Sequence, residues 1–259
     1  MHNRGSASRW VTAALTVIAA VGLTLGTAVP ASATGWHVPD GRVLRYVALG
    51  DSYAAGQATD CTHTASSYPL LLDRLPRLQL VSDVSCAGAT TADVITTQVG
   101  AVNRSISLVT VTVGANDLDV AGLYGVCAAD PASATCAAAI QSREAQLPAL
   151  YASLVATYSR IAAASPRATI LVTGYAPLVS AGPLYTAEQA LDSTIHTAVT
   201  SVAAAGAHIR YVSVAFPGHT VDSPDPWFFL TGPNVFHPTW QGNVAYAAAI
   251  AISLLDERR

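Results

Sequence analysis

The sequence predicts an α/β fold built around a parallel sheet, because short apolar runs alternate with long helical patterns along the chain. The apolar runs are also nearly continuous rather than alternating with polar residues. This pattern is typical of strands that are covered on both faces, as they are in a parallel sheet. Gly, Pro and small polar residues follow these runs, so each predicted strand ends in a turn or a loop.

The predicted elements can be placed in order along the chain. We expect strands at residues 42–49, 78–81, 107–113, 168–173 and 208–214, of which the second is the weakest because it is short. Helices are expected at residues 137–164 with a break at Pro148, at residues 186–205 and at residues 239–255. The connection at residues 216–239 is long, and a long loop in a small domain usually carries function. No repeat, linker or second domain is apparent in residues 34–259.

Residues 1–33 have the layout of a secretory signal peptide. Arg4 and Arg9 precede an apolar run at residues 11–29, and an Ala-Ser-Ala cleavage site ends at Ala33. An uncleaved anchor is the alternative, since the run is near the lower limit of about 17–20 residues for a membrane span. We expect cleavage, which gives a secreted, extracellular protein of residues 34–259 without a stable membrane anchor.

Composition narrows the range of partners. The chain contains no lysine, and loss of the leader with its two arginines would change the formal charge from -3 to -5. No basic stripe is present, so we expect no nucleic-acid partner. The residues after the leader are enough for one hydrophobic core, and we expect a monomer.

An even number of cysteines in an exported chain suggests disulfide bonds. All four follow the leader. Cys127 and Cys136 bracket a short loop and are expected to pair, which leaves Cys61 to pair with Cys86. A zinc site is the alternative, but the chain has no CxxC spacing.

Polar and small residues follow three of the predicted strands, where parallel sheets bind ligands. The first strand runs into Ser52, the second leads to Gly88, and the third leads to Asn116, while His237 precedes the last helix. Each residue alone could serve a helix cap, a turn or an ordinary loop. Together they supply a hydroxyl, an open backbone N–H, an amide donor and a base, which an acyl-transfer site needs.

The four residues lie in blocks that resemble the SGNH or GDSL-type serine esterases and lipases. The blocks are "GDSYAAG" at residues 50–56, "CAGATTADV" around Gly88, "GANDL" at residues 114–118 and "FHPTWQGN" around His237. They occur in the family's order, and the cysteines and leader resemble its secreted actinobacterial members. The resemblance implies a three-layer α/β/α sandwich that is flavodoxin-like, with about five parallel strands.

The resemblance also implies a role for each residue. Ser52 would be the nucleophile, and His237 would be its general base and later the general acid. The backbone N–H groups of Ser52 and Gly88, with the side-chain amide of Asn116, would form the oxyanion hole. No metal or organic cofactor is expected. The G-x-S-x-G elbow of α/β-hydrolases is absent around Ser52.

One position departs from the family pattern. The family commonly has Asp three residues before the catalytic His, and here that residue is Asn234. An amide carries no charge to stabilise an imidazolium. Asp222 and Asp225 are the nearby acids, but both are distant from His237 in sequence. We therefore expect a backbone carbonyl of residues 234–236 to orient His237.

These observations predict a secreted serine hydrolase that cleaves carboxylic esters, of lipids or other acyl compounds, through an acyl-enzyme on Ser52. Trp227, Phe228 and Phe229 are expected to form an apolar wall for the acyl chain, unless they pack into the core. A phospholipase or polysaccharide deacetylase on the same fold is an alternative. A secreted binding module without catalysis is another, although the presence of Ser52 and His237 speaks against it.

Overall fold

The structure of the chain is a computed structural model that describes residues 42–256. The predicted signal peptide, residues 1–33, lies outside the described residues. Five strands form one fully parallel sheet in the order β2-β1-β3-β4-β5. They are β1 (Leu44–Gly50), β2 (Leu78–Asp83), β3 (Leu108–Thr112), β4 (Thr169–Thr173) and β5 (Ile209–Val212). This strand order is that of flavodoxin-like folds, so the predicted fold class is confirmed.

Eight α-helical segments connect or follow the strands in the described part of the chain. They are α1 (Ser52–Ala55), α2 (Tyr68–Asp73), α3 (Thr91–Asp93), α4 (Val120–Cys127), α5 (Ala134–Glu144), α6 (Leu147–Ala164), α7 (Gly182–Ala204) and α8 (Trp240–Asp256). A π-helical turn (Val94–Gln98) and a 3-10 turn (Val99–Ala101) continue α3, and a second 3-10 turn (Asn116–Leu118) follows β3. None of these helices is both long and apolar enough to cross a membrane.

The long predicted helix differs from the structure at its start and at its break. α5 begins three residues before the predicted start, and the break falls at residues 145–146 rather than at Pro148. Pro148 instead lies in the first turn of α6, where a missing N–H costs nothing. Pro183 likewise allows α7 to begin at Gly182, before the predicted start.

The core consists of two layers, one on each face of the sheet. Tyr46 and Ala48 of β1 pack on one face with residues of α2, α4 and α8. Val47 and Leu49 pack on the other face with residues of α6 and α7. All five residues of β3 are buried, Thr110 and Thr112 included, so both faces of this strand are covered.

Both predicted disulfide pairings are present in the structure. Cys127 at the end of α4 is joined to Cys136 in α5, and Cys61 is joined to Cys86. The second bond ties the loop after α1 to the segment that leads from β2 to Gly88.

The end of β1 has a backbone conformation that only glycine adopts readily. Gly50 has φ of +123°, and a Cβ there would lie 2.2 Å from the Thr112 carbonyl oxygen of β3. The buried Gln98 side chain accepts from the Gly50 N–H at 2.7 Å and donates to the Gly50 carbonyl at 2.9 Å. β1 therefore ends in a fixed position two residues before Ser52.

We predict that Gly50→Ala destabilises the protein by roughly 3 kcal/mol, because the new Cβ meets backbone and φ is positive. Gly100→Ala is the matched control, since its Cβ would meet nothing within 4 Å. Chemical denaturation should show no loss beyond about 0.5 kcal/mol for the control. Equal loss in the two variants would contradict this account of Gly50.

Candidate active site

Ser52 is the first residue of α1 and follows β1 after a single intervening residue. Asp51 is the N-cap of this short helix, and its carboxylate accepts a hydrogen bond from the Tyr53 N–H at 3.0 Å. Gly56 ends α1 in the left-handed conformation. The Ser52 side chain is thus held at the carboxyl edge of the sheet, where it is 9% exposed.

His237 reaches Ser52 from the long loop before α8. Its Nε2 lies 2.7 Å from Ser52 Oγ, and its Nδ1 lies 3.0 Å from the Val235 carbonyl oxygen. A carbonyl oxygen can only accept a hydrogen bond, so Nδ1 carries the ring proton. The unprotonated Nε2 therefore accepts a hydrogen bond from the Ser52 hydroxyl. Burial lowers the pKa of His237, which keeps the imidazole neutral and able to take a proton.

The expected main-chain partner of His237 is therefore present, and no carboxylate of the described residues hydrogen-bonds to its ring. The Asn234 side chain accepts from the Ala58 N–H at 2.9 Å instead. The Asp222 carboxylate accepts from Ser180 Oγ at 2.7 Å, and Asp225 lies against His219. The side chains of Asn234, Asp222 and Asp225 therefore all contact residues other than His237.

The turn that presents His237 is held by Tyr53, a residue that the sequence analysis did not single out. The Tyr53 hydroxyl donates to the Phe236 carbonyl at 2.9 Å, and the Tyr53 ring centroid lies 5.3 Å from that of His237. Phe236 has φ of +65°, which is unusual for a bulky residue. Tyr53 thus links the serine helix to the histidine loop.

Asn116 lies in the 3-10 turn after β3 and lines the same cavity as Ser52 and His237. Its Nδ2 donates to the Ala89 carbonyl at 3.0 Å. An amide NH₂ has two protons, so one remains for another acceptor. Gly88, with φ of +78°, directly precedes Ala89 but lines a neighbouring cleft beside the Cys61–Cys86 disulfide.

Tyr175 and Asp51 form a second pair that was not expected from the sequence, and this pair joins two strand ends. Tyr175, just after β4, donates its hydroxyl proton to the buried Asp51 carboxylate. The same hydroxyl accepts from the Ala115 N–H at 3.2 Å, one residue before Asn116. Tyr175 therefore connects the turn that holds Ser52 to the turn that holds Asn116. The strand-end rule pointed to this position, since Tyr175 follows the end of a predicted strand.

The cavity beside Ser52 and His237 has a volume of about 280 Å³ and mostly apolar walls. The side chains that form these walls belong to Val120, Tyr124, Leu178, Val235 and Phe236. The cavity thus combines an apolar lining with a few converging polar groups, as small-molecule sites do.

The aromatic segment that was expected to form this wall lies elsewhere, which corrects the prediction for Trp227, Phe228 and Phe229. Phe228 is 2% exposed and packs against Phe216, because its backbone pairs with Pro238 and directs the ring into the core. Trp227 stacks on His219 with a centroid distance of 3.9 Å. Phe229 is 39% exposed and does not line the cavity.

The flavodoxin-like sheet thus carries a hydrogen-bonded serine and histidine at its carboxyl edge, beside an apolar cavity. The model of the GDSL-like Lipase/Acylhydrolase family matches residues 48–245, so the chain belongs to this family and is a carboxylic ester hydrolase. Lipase 1 of Streptomyces coelicolor is 28% identical over 242 residues, which cover 85% of this chain and 90% of the relative.

Two solved structures are similar to the chain over most of its length. An extracellular lipase from Streptomyces rimosus gives a TM-score of 0.70 at 29% identity. Phospholipase A1 from Streptomyces albidoflavus gives a TM-score of 0.69 at 30% identity. Each match covers 80% of this chain and 98% of the other.

We predict that titration of Asp51 lowers the free energy of unfolding as pH rises. Burial raises the pKa of Asp51 to about 7, so the folded state holds a proton that the unfolded state has already lost. Its contribution is fully present below the unfolded pKa of about 4 and is lost as pH rises towards about 7. Asp51→Asn should flatten this fall in the free energy of unfolding.

Denaturation of both proteins at several pH values across this window measures the difference. Glu188, whose pKa burial also raises to about 7, is present in both proteins and cancels from the comparison. Asp60→Asn is the control, because hydrogen bonds from Thr62 lower the pKa of Asp60 and its contribution changes only below this window. Parallel pH curves for wild type and Asp51→Asn would refute the assignment.

Proposed function

We propose that the protein is a secreted serine esterase that cleaves lipid or other acyl esters through an acyl-enzyme on Ser52. The 2.7 Å contact between His237 Nε2 and Ser52 Oγ, at the wall of an apolar cavity, carries this proposal. A serine hydroxyl becomes an effective nucleophile when an adjacent base can take its proton. His237 is that base, because its Nε2 carries no proton and faces the Ser52 hydroxyl.

In the first step, Ser52 Oγ attacks the ester carbonyl while its proton passes to His237 Nε2. The carbonyl oxygen becomes an oxyanion, for which the Asn116 amide and the N–H groups of Ser52 and Gly88 are the proposed donors. His237 then gives its proton to the leaving alcohol. A water molecule, deprotonated by the same nitrogen, hydrolyses the acyl-enzyme and restores Ser52.

The imidazolium that forms during these steps is stabilised without a carboxylate. The Val235 carbonyl accepts the Nδ1 proton in the resting and in the charged ring, so it fixes the orientation throughout. It supplies a dipole rather than a full negative charge. We propose that the Asp of a Ser-His-Asp triad is absent here and that the enzyme works as a Ser-His pair.

The apolar walls of the cavity support acyl groups larger than acetate as substrates. Each methylene buried there contributes about 0.8 kcal/mol of binding. A polysaccharide chain would find few hydrogen-bonding partners on the same walls. Phospholipid cleavage is the second candidate, because the similar Streptomyces albidoflavus structure is a phospholipase A1. Release of fatty acid from phosphatidylcholine, compared with tributyrin, would separate the two.

Secretion is supported by the leader-like residues 1–33, by the two disulfides and by similarity to an extracellular lipase. Disulfides persist mainly outside the reducing cytosol. We further propose that the mature chain is a monomer of residues 34–259 without a nucleic-acid partner.

Ser52→Ala should leave a folded protein whose esterase activity is near background, because the attacking oxygen is gone. A fluorophosphonate probe should label the wild type and not this variant. Ser193→Ala, on the exposed surface of α7, is the matched control and should keep both activity and labelling. Activity above a few per cent in Ser52→Ala, with normal circular dichroism, would contradict the assignment of Ser52 as the nucleophile.

Asp222→Asn and Asp225→Asn should each keep kcat within about tenfold of wild type, because both carboxylates contact other residues. Loss of a true triad carboxylate lowers kcat by about 10⁴. Steady-state kinetics on one soluble ester distinguishes the two cases. A fall of roughly a thousandfold in either folded variant would identify that residue as the triad acid.

A further inference from the structure

A second apolar cavity, which we call the inner cavity, shares part of its lining with the catalytic one. It holds about 30 Å³ of free space. It is bounded by α4, by the junction of α5 and α6, and by α7. Its apolar lining includes Leu118, Leu123, Leu147, Leu184, Ala187 and Leu191.

Only two side chains line both cavities, and these are Val120 and Tyr124 of α4. Tyr124 is the larger, and it is 5% exposed. Its ring packs against Phe236, another residue of the catalytic cavity, with centroids 5.2 Å apart. The phenol ring of Tyr124 is therefore the main partition between the catalytic cavity and the inner cavity.

Glu188 of α7, which lines the inner cavity, holds the Tyr124 ring in place through a hydrogen bond. The Tyr124 hydroxyl donates to Glu188 Oε1, and the same oxygen accepts from the Leu178 N–H at 2.8 Å. Leu178 also lines the catalytic cavity. One buried carboxylate thus anchors two wall residues of the catalytic cavity, so the wall cannot retreat without breaking both bonds.

We propose that Tyr124 is a specificity-determining residue that ends the acyl-binding cavity and restricts the enzyme to short and medium acyl chains. The inner cavity is the space that the distal methylenes of a longer chain would occupy once the ring is removed. The inference rests on the proposed function. A catalytic cavity of about 280 Å³ is at the small end of ligand sites, which run from roughly 300 to 1,000 Å³.

The test compares kcat/KM for p-nitrophenyl laurate and p-nitrophenyl hexanoate at one fixed detergent concentration. In Tyr124→Ala the laurate-to-hexanoate ratio should rise by about tenfold or more, since each newly buried methylene is worth roughly fourfold. Tyr124→Phe keeps the ring and loses only the hydroxyl, so its ratio should stay within about threefold of wild type.

A second substitution tests whether the inner cavity accepts the extra methylenes. Ala187 lines the inner cavity and not the catalytic one, and Ala187→Leu would fill that space. In the double variant with Tyr124→Ala, the ratio should return to within about threefold of wild type. If Tyr124→Ala does not fold, Val120→Ala opens the same partition and should raise the ratio in the same direction.

An unchanged ratio in the folded Tyr124→Ala protein overturns the inference, as does a raised ratio that survives Ala187→Leu. A residue with a merely structural role would lower kcat/KM for both esters equally. The ratio compares two acyl chains on one protein and does not depend on which residue attacks. Failure of fluorophosphonate labelling at Ser52 would therefore reject the proposed mechanism separately.

Discussion

The close approach of β1 and β3 at Gly50 is the constraint on which the rest of the site depends. The two backbones meet there with no room for a side chain, and the Gln98 amide bonds both polar groups of Gly50. Ser52 therefore follows a strand end that close backbone contact and two hydrogen bonds hold in place. Hydrogen bonds from Tyr53 and Tyr175 connect the segment after Gly50 to the histidine loop and to the Asn116 turn.

Hydrogen bonds rather than ion pairs hold the described parts of the site together. Tyr53 ties the serine helix to the histidine turn, and Tyr175 ties the serine turn to the Asn116 turn. The Val235 carbonyl takes the place usually held by a carboxylate beside the imidazole. Such bonds work in a buried, apolar setting because water does not compete for them. They also leave the His237 pKa governed by burial.

The sequence predicted the sheet well because parallel strands bury both faces and so leave continuous apolar runs. Ser52 and Asn116 follow strand ends, as expected, and line one cavity with His237, whereas Gly88 lines a neighbouring cleft. The prediction failed for Trp227 and Phe228, because closeness to His237 along the chain does not determine where a side chain points. Tyr53 and Tyr175 were missed because their partners, Phe236 and Ala115, are distant in sequence and met only through folding.

The hydrogen bond of the Asn234 side chain has a consequence for the imidazole of His237. Its side-chain oxygen is committed to the Ala58 N–H, in the loop that the Cys61–Cys86 disulfide fixes. An aspartate at this position has the same shape and would keep the same bond, facing away from the imidazole. Asn234→Asp would therefore place a carboxylate against the Ala58 N–H and not against the imidazole.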